Sequence, residues 1–143
     1  MSHIYLLSPS SAVLDKLGYR RGIKRLVAAG HTVEVDTDAL ARETRFAGDD
    51  ATRLLAIERA IASGADAVMT TRGGYGLSRL LPSLPYKAIA KSIDKGTQWI
   101  GFSDFTAFSL SVLAKSGRQT WAGPALLDDF GAEAGEAVVE SGT

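Results

Sequence analysis

The sequence predicts an α/β domain built on a mostly parallel, open sheet with helices on both faces. Short apolar runs of strand length alternate with stretches whose apolar residues recur at helical spacing, and that βαβ order implies parallel strands covered on both sides. The runs are broken by Gly, Pro, Ser and Asp, the residues that end strands and helices. At 143 residues, with 45% hydrophobic and 22% charged, the chain fits one domain that can bury a core.

The first element is Ile4-Tyr5-Leu6-Leu7, a buried strand stopped by Ser8-Pro9-Ser10-Ser11. Tyr19, Ile23, Leu26 and Val27 fall on one face of a helix, which Gly30 ends. Thr32 to Val35 reads as a second strand. A polar stretch from Asp36 to Gly48 leads to Asp49 and Asp50, acids suited to the first turn of a helix by its dipole and unpaired N–H groups. Leu54, Ile57 and Ile61 give that helix an apolar stripe, and Gly64 stops it.

Ala67 to Thr70 is a third strand, running into Arg72-Gly73-Gly74-Tyr75-Gly76 and a short helix stopped by Pro82. Tyr86 to Ser92 makes a further helical turn or two. Trp99 to Phe102 is a strand that meets Ser103-Asp104, and Phe105, Phe108, Val112 and Leu113 mark the helix after it. Gln119 to Ala122 is a last strand, broken by Gly123-Pro124. The domain is expected to occupy 1–130, with 131–143, small and acidic, a linker or the start of another domain. Trp99 and Trp121 are both expected in the core, and Arg20, Arg21, Lys24 and Arg25 on a solvated helix face.

Several function classes are disfavoured. Lys+Arg and Asp+Glu are both 16, so no net field draws the domain to nucleic acid or an anionic membrane. Without cysteine there are no disulfides, no thiolate chemistry and no zinc–sulfur site. The apolar run Ile4–Leu7 is too short for a secretion signal, and no run approaches the roughly 18 apolar residues that span a bilayer. A cytoplasmic location is the expectation.

In an open parallel sheet, ligands bind at the C-terminal ends of the strands. Four loops lie there, at 8–11, 71–76, 102–104 and 123–124, and two carry a pattern. Gly101-Phe102-Ser103-Asp104-Phe105 sets a serine on a strand-to-helix turn, where a nucleophile elbow would expose its hydroxyl and aim the next N–H at an oxyanion. Ser103 or Asp104 could equally cap the helix, and the second glycine of the usual hydrolase motif is missing. Arg72–Gly76 holds three glycines in four positions, which lets backbone approach a ligand closely or simply makes a tight turn. It fits neither the dinucleotide nor the P-loop fingerprint.

A serine nucleophile needs a base. The only histidines, His3 and His31, start strands and so sit at the opposite edge of the sheet from Ser103, roughly 15 Å away for a strand of about five residues. Either the domain carries a nucleophile without its base, or Ser103 is not a nucleophile.

RGGYGLSRLLPSLPY, then IGFSDFTAFSLSVLAKSG, then TWAGPAL, in this order and spacing, resemble the LD-carboxypeptidases of peptidase family S66, above all the murein tetrapeptide carboxypeptidases of cell-wall recycling. YLLSPSS, RRGIKRLVAAGHTVEV and RFAGDDATRL fit the opening segments, so the likeness runs from about Ile4 to Gly131. The resemblance implies the N-terminal domain, class I glutamine amidotransferase-like in fold, of a two-domain enzyme with a Ser-Glu-His triad. Ser103 would be the nucleophile, and the Glu and His would come from a C-terminal domain outside this chain. It also implies an oxyanion hole from the backbone N–H groups of Asp104 and Gly74, with Arg72, Gly73 and Tyr75 near the substrate. The implied reaction is hydrolysis, without metal or cofactor, of the bond from an L-configured centre of diaminopimelate or lysine to a terminal D-alanine.

A related branch cleaves peptidyl-nucleotide antibiotics such as microcin C. The implied partners are muropeptide substrate and the C-terminal domain, with a homodimer left open. Two readings from other classes remain: a non-catalytic small-ligand-binding domain, and an amidotransferase-like fold without catalysis. The lack of cysteine argues against a working glutaminase.

Overall fold

A computed structural model describes residues 2–43, 46–74, 76–101, 103–127 and 131. Five parallel strands form one sheet in the order β2-β1-β3-β4-β5: β1 (His3–Leu7), β2 (Thr32–Val35), β3 (Ala67–Thr70), β4 (Gln98–Gly101) and β5 (Trp121–Ala122). The helices are α1 (Lys16–Ala28), α2 (Asp50–Ser63), α3 (Tyr86–Asp94) and α4 (Phe105–Ser116), with a 3-10 helix over Leu77–Ser83.

Strand alternation divides the core in two. Tyr5, Leu7, Val68 and Trp99 point to the face covered by α2, the 3-10 helix, α3 and α4, where Ile57, Leu80, Ile89 and Phe108 are buried. Ile4, Leu6, Ala67 and Met69 point to the other face, which Tyr19 and Leu26 of α1 and Leu126 cover. The chain goes outward from β1 to β2 and then returns past β1 to β3, so the winding reverses at the β1/β3 junction. Such a junction leaves a crevice beyond the strand ends.

The helix ends follow local chemistry. Asp49 caps α2 by accepting from the Thr52 N–H at 2.8 Å, and Gly64 closes it at φ 65°. Asp15 caps α1 through the Gly18 N–H at 2.8 Å. Gly117 ends α4 at φ 71°.

Some expectations change. Trp99 is buried and stacked on Phe108 at 5.4 Å between centroids, but Trp121 is 58% exposed. β5 is the sheet edge and only two residues long, and Trp121 borders an open cleft of about 500 Å³ that Arg25, Leu26 and Ala29 also line. Val27 is 54% exposed, because the buried stripe of α1 runs through Gly18, Tyr19, Gly22 and Leu26 instead. The 3-10 helix passes through Pro82 rather than stopping there. The proposed linker lies outside the described residues except Gly131, whose N–H donates to Leu126 and whose carbonyl accepts from Arg21.

Candidate functional site

The loop after β4 turns directly into α4. Ser103 has φ 64°, the one non-glycine residue at positive φ among those described, and it is exposed. A β-carbon held there costs roughly 1–2 kcal/mol, so the surrounding structure must impose the conformation. Gly101 permits the turn, since a Cβ at that position would come 2.7 Å from the Phe105 ring. The Ser103 and Asp104 carbonyls accept from Thr106 and Ala107 at 3.0 Å, so α4 starts directly under the serine.

Helix capping does not account for Asp104. Its side chain makes no cap bond to α4. Instead Oδ1 accepts from the Ser10 hydroxyl at 2.9 Å, and Oδ2 accepts from the Leu77 N–H at 3.1 Å. One carboxylate thus joins the loops after β1, β3 and β4. Burial pushes the Asp104 carboxyl above the usual carboxylate range, against the pull of the Leu77 and Ser10 bonds and the charges of Arg53 and Arg72.

The same loops are tied elsewhere. The Ser8 and Thr71 hydroxyls lie 2.6 Å apart, and Ser8 Oγ donates to the Ala39 carbonyl at 2.7 Å. The Thr71 carbonyl accepts from the Leu127 N–H at 2.9 Å, which brings the segment after β5 to the same edge. Gly74 sits at φ 101°, and a Cβ there would fall 2.1 Å from Ser11 Oγ, so glycine is required by both conformation and space.

Beneath the glycine loop lies Arg53, its side chain wholly buried. It donates to the Pro9 carbonyl at 3.0 Å, the Gly76 carbonyl at 2.8 Å and the Asp50 carboxylate at 2.6 Å, and it lies over the Phe46 ring. Burial lowers its pKa, and the Asp50 charge opposes that.

All four loops singled out from the sequence therefore meet at one edge. Arg72 is half-buried and reaches the Ala12 carbonyl at 3.4 Å; Gly73 is buried beside it; Tyr75 lies outside the described residues. The histidines stay away as expected. His3 pairs with Glu34 at 2.8 Å, and His31 Nδ1 accepts from the Ser2 N–H at 3.2 Å, both at the N-terminal edge of the sheet. Among the described residues, no histidine faces Ser103.

Sequence reasoning missed Ser10 and Arg53. Arg53 heads the buried stripe Arg53, Ala56, Ile57 and Ala60, one position round the helix from the stripe expected.

Residues 4–123 match the family model described as the LD-carboxypeptidase N-terminal domain of peptidase S66. The microcin C7 self-immunity protein MccF of Escherichia coli is 44% identical over 64 residues, which cover 45% of this chain and 18% of that protein. A solved structure of MccF in complex with aspartyl sulfamoyl adenosine superposes with a TM-score of 0.88 at 27% identity, covering 97% of this chain and 41% of that one. A muramoyltetrapeptide carboxypeptidase from Oxalobacter formigenes gives 0.83 at 32% identity, covering 96% of this chain and 45% of that one. The chain thus spans less than half the length of these relatives.

Proposed function

Because the chain belongs to the S66 peptidase family, matching its LD-carboxypeptidase N-terminal domain, we propose that it is the nucleophile-bearing part of a serine-type LD-carboxypeptidase. The observation that carries this reading is the positive φ of Ser103 on an exposed strand-to-helix turn. Strain of this kind persists where surrounding structure holds it, and it gathers at reactive sites.

In this reading Ser103 Oγ attacks the carbonyl carbon of the bond to the terminal D-alanine, and its proton passes to a histidine of a C-terminal domain that follows residues 131–143. The Asp104 N–H, at the start of α4, and the Gly74 N–H stabilise the tetrahedral oxyanion. D-alanine leaves with that proton on its amine, and water then releases the acyl group from Ser103. A glutamate of the same C-terminal domain orients the histidine. Arg72 and Gly73 lie on the substrate side, and Tyr75 is assigned there from its place in the RGGYG loop. Substrate and setting are murein tetrapeptide and cytoplasmic cell-wall recycling.

Similarity to MccF favours a second reading: hydrolysis of an aminoacyl or peptidyl nucleotide through the same serine. One experiment separates the two. The full-length protein is assayed by mass spectrometry for D-alanine release from LD-tetrapeptide and for cleavage of an aminoacyl sulfamoyl adenosine, each beside Ser103→Ala. Tetrapeptide turnover lost in the variant supports the first reading, and nucleotide turnover alone supports the second. Activity retained in Ser103→Ala sinks both. The chain of residues 1–143 alone should give only a trace of the rate, since a positioned base contributes about 10²–10⁴-fold.

A further inference from the structure

Two carbonyls that accept from Arg53 belong to the residues just before the two donors that hold Asp104. Pro9 precedes Ser10, and Gly76 precedes Leu77. The second case is the tighter. The Gly76 carbonyl and the Leu77 N–H are two sides of one planar peptide unit, so a guanidinium fixed on the oxygen sets the direction of the N–H. That N–H points at Asp104, the residue next to Ser103.

The geometry points to Arg53 as the positioning residue for the nucleophile turn: a buried guanidinium in α2 that aligns the loops after β1 and β3 so that both grip Asp104. This rests on the reading of Ser103 as nucleophile.

Several observations support it. Nη1 of Arg53 donates to carbonyls from two loops 67 residues apart in number, Pro9 and Gly76, while Nη2 donates to Asp50, and that division across one planar guanidinium is what lysine cannot reproduce. Its orientation is itself fixed, by Asp50 Oδ1 at 2.6 Å and by the Phe46 ring 4.9 Å from the guanidinium carbon. Gly76 is shaped around it, because a Cβ there would lie 2.7 Å from both Arg53 Nη1 and Phe46. Arg53 Nε has no partner among the described residues, so the side chain gives up a hydrogen bond to keep this placement. A guanidinium that served only to tie α2 to the sheet would not need both carbonyls flanking the Asp104 donors.

The test measures kcat and KM on the full-length protein for Arg53→Met and Arg53→Lys, with concentrations corrected for folded fraction by circular dichroism. Misplacing reacting groups by about 1 Å can cost 10²-fold. Arg53→Met should therefore lose between tenfold and about 10²-fold in kcat with KM moved no more than about twofold. Arg53→Lys, which keeps the charge but lacks the planar group that holds Asp50 and the two carbonyls at once, should fall between the methionine variant and wild type. If the methionine variant does not fold, the lysine variant decides, with a fivefold or larger loss of kcat expected. Wild-type kcat in the folded fraction of either variant overturns the inference. Ser103→Ala runs alongside: if it stays active, the nucleophile reading fails whatever the Arg53 variants do.

Discussion

Ser10 and Asp104 are joined by a hydrogen bond of 2.9 Å across 94 residues of chain, which fastens the loop after the first strand to the turn after the fourth. With the Leu77 N–H on its other oxygen, the Asp104 carboxylate is the knot at which three strand-end loops meet. A buried acid in that role carries a cost, and the cost has a testable sign.

Because burial raises the Asp104 carboxyl, stability from this group is complete below the ordinary value of 3.8 and is lost as pH rises through the raised one. Asp104→Asn removes that loss. Its amide oxygen can still accept from Leu77 and its amide nitrogen can donate to Ser10, whose hydroxyl can turn. Urea unfolding at pH 7 should show Asp104→Asn as stable as wild type or more so. Asp104→Ala leaves the Leu77 N–H unpaired and should cost about 1–3 kcal/mol. Asparagine as damaging as alanine would mean that the charge itself holds the loops.

Ser103 offers a pair of substitutions that separate strain from chemistry. Glycine tolerates φ 64° freely, whereas alanine keeps the strain and loses the hydroxyl. Ser103→Gly should exceed Ser103→Ala in stability by about 1 kcal/mol, with both variants inactive. Equal melting temperatures would refute the strained turn, and activity in either variant would refute the nucleophile.

The pH response of the β2 edge should run the other way. Tyr5 OH donates to Asp36, and Arg59 donates to both Asp36 oxygens, at 2.8 and 2.9 Å, and to Asp38 at 2.9 Å. Burial alone would raise the Asp36 carboxyl, but the bonds from Arg59, Tyr5 and the Asp38 N–H, with the charge of Arg59, hold it below the ordinary value. A depressed acid adds stability above 3.8 and loses it as pH falls through the lowered value. Asp36→Asn should cost about 2 kcal/mol at pH 7, less than a fully buried pair because Arg59 is partly exposed. The gap to wild type should close on acidification below about pH 4; a gap that stays constant down to pH 2 would refute the assignment.

The tryptophans should differ by several fold in energetic weight. Trp99 is 1% exposed, stacked on Phe108, and donates to Ser92 Oγ at 2.9 Å. Trp99→Ala should cost about 3–5 kcal/mol and Trp121→Ala about 0.5 kcal/mol in the chain of residues 1–143, read from urea midpoints. Comparable losses would place Trp121 in a packed environment that the open cleft does not provide.

Strands β1, β2 and β3 and helices α2 and α4 were legible because their signals are local: apolar runs of strand length, an acid at a helix start, a glycine past a helix end. β5 shortened and Trp121 turned outward because edge burial depends on what packs alongside, which a run of apolar letters does not record. Arg53 escaped notice because a basic residue reads as surface until its carbonyl partners, Pro9 and Gly76, are known to be there.

Sequence alone established an alternating α/β order, a serine on a strand-to-helix turn, a glycine-rich loop and two histidines at the wrong edge for catalysis. Those features depend on neighbours a few residues apart and on the period of the apolar pattern. The strand order β2-β1-β3-β4-β5, the reversal of winding at β1/β3, and the meeting of Ser10, Arg53, Leu77 and Asp104 came from the folded chain. Contacts between residues up to 94 positions apart are set by how helices pack across the sheet, and no local pattern encodes them.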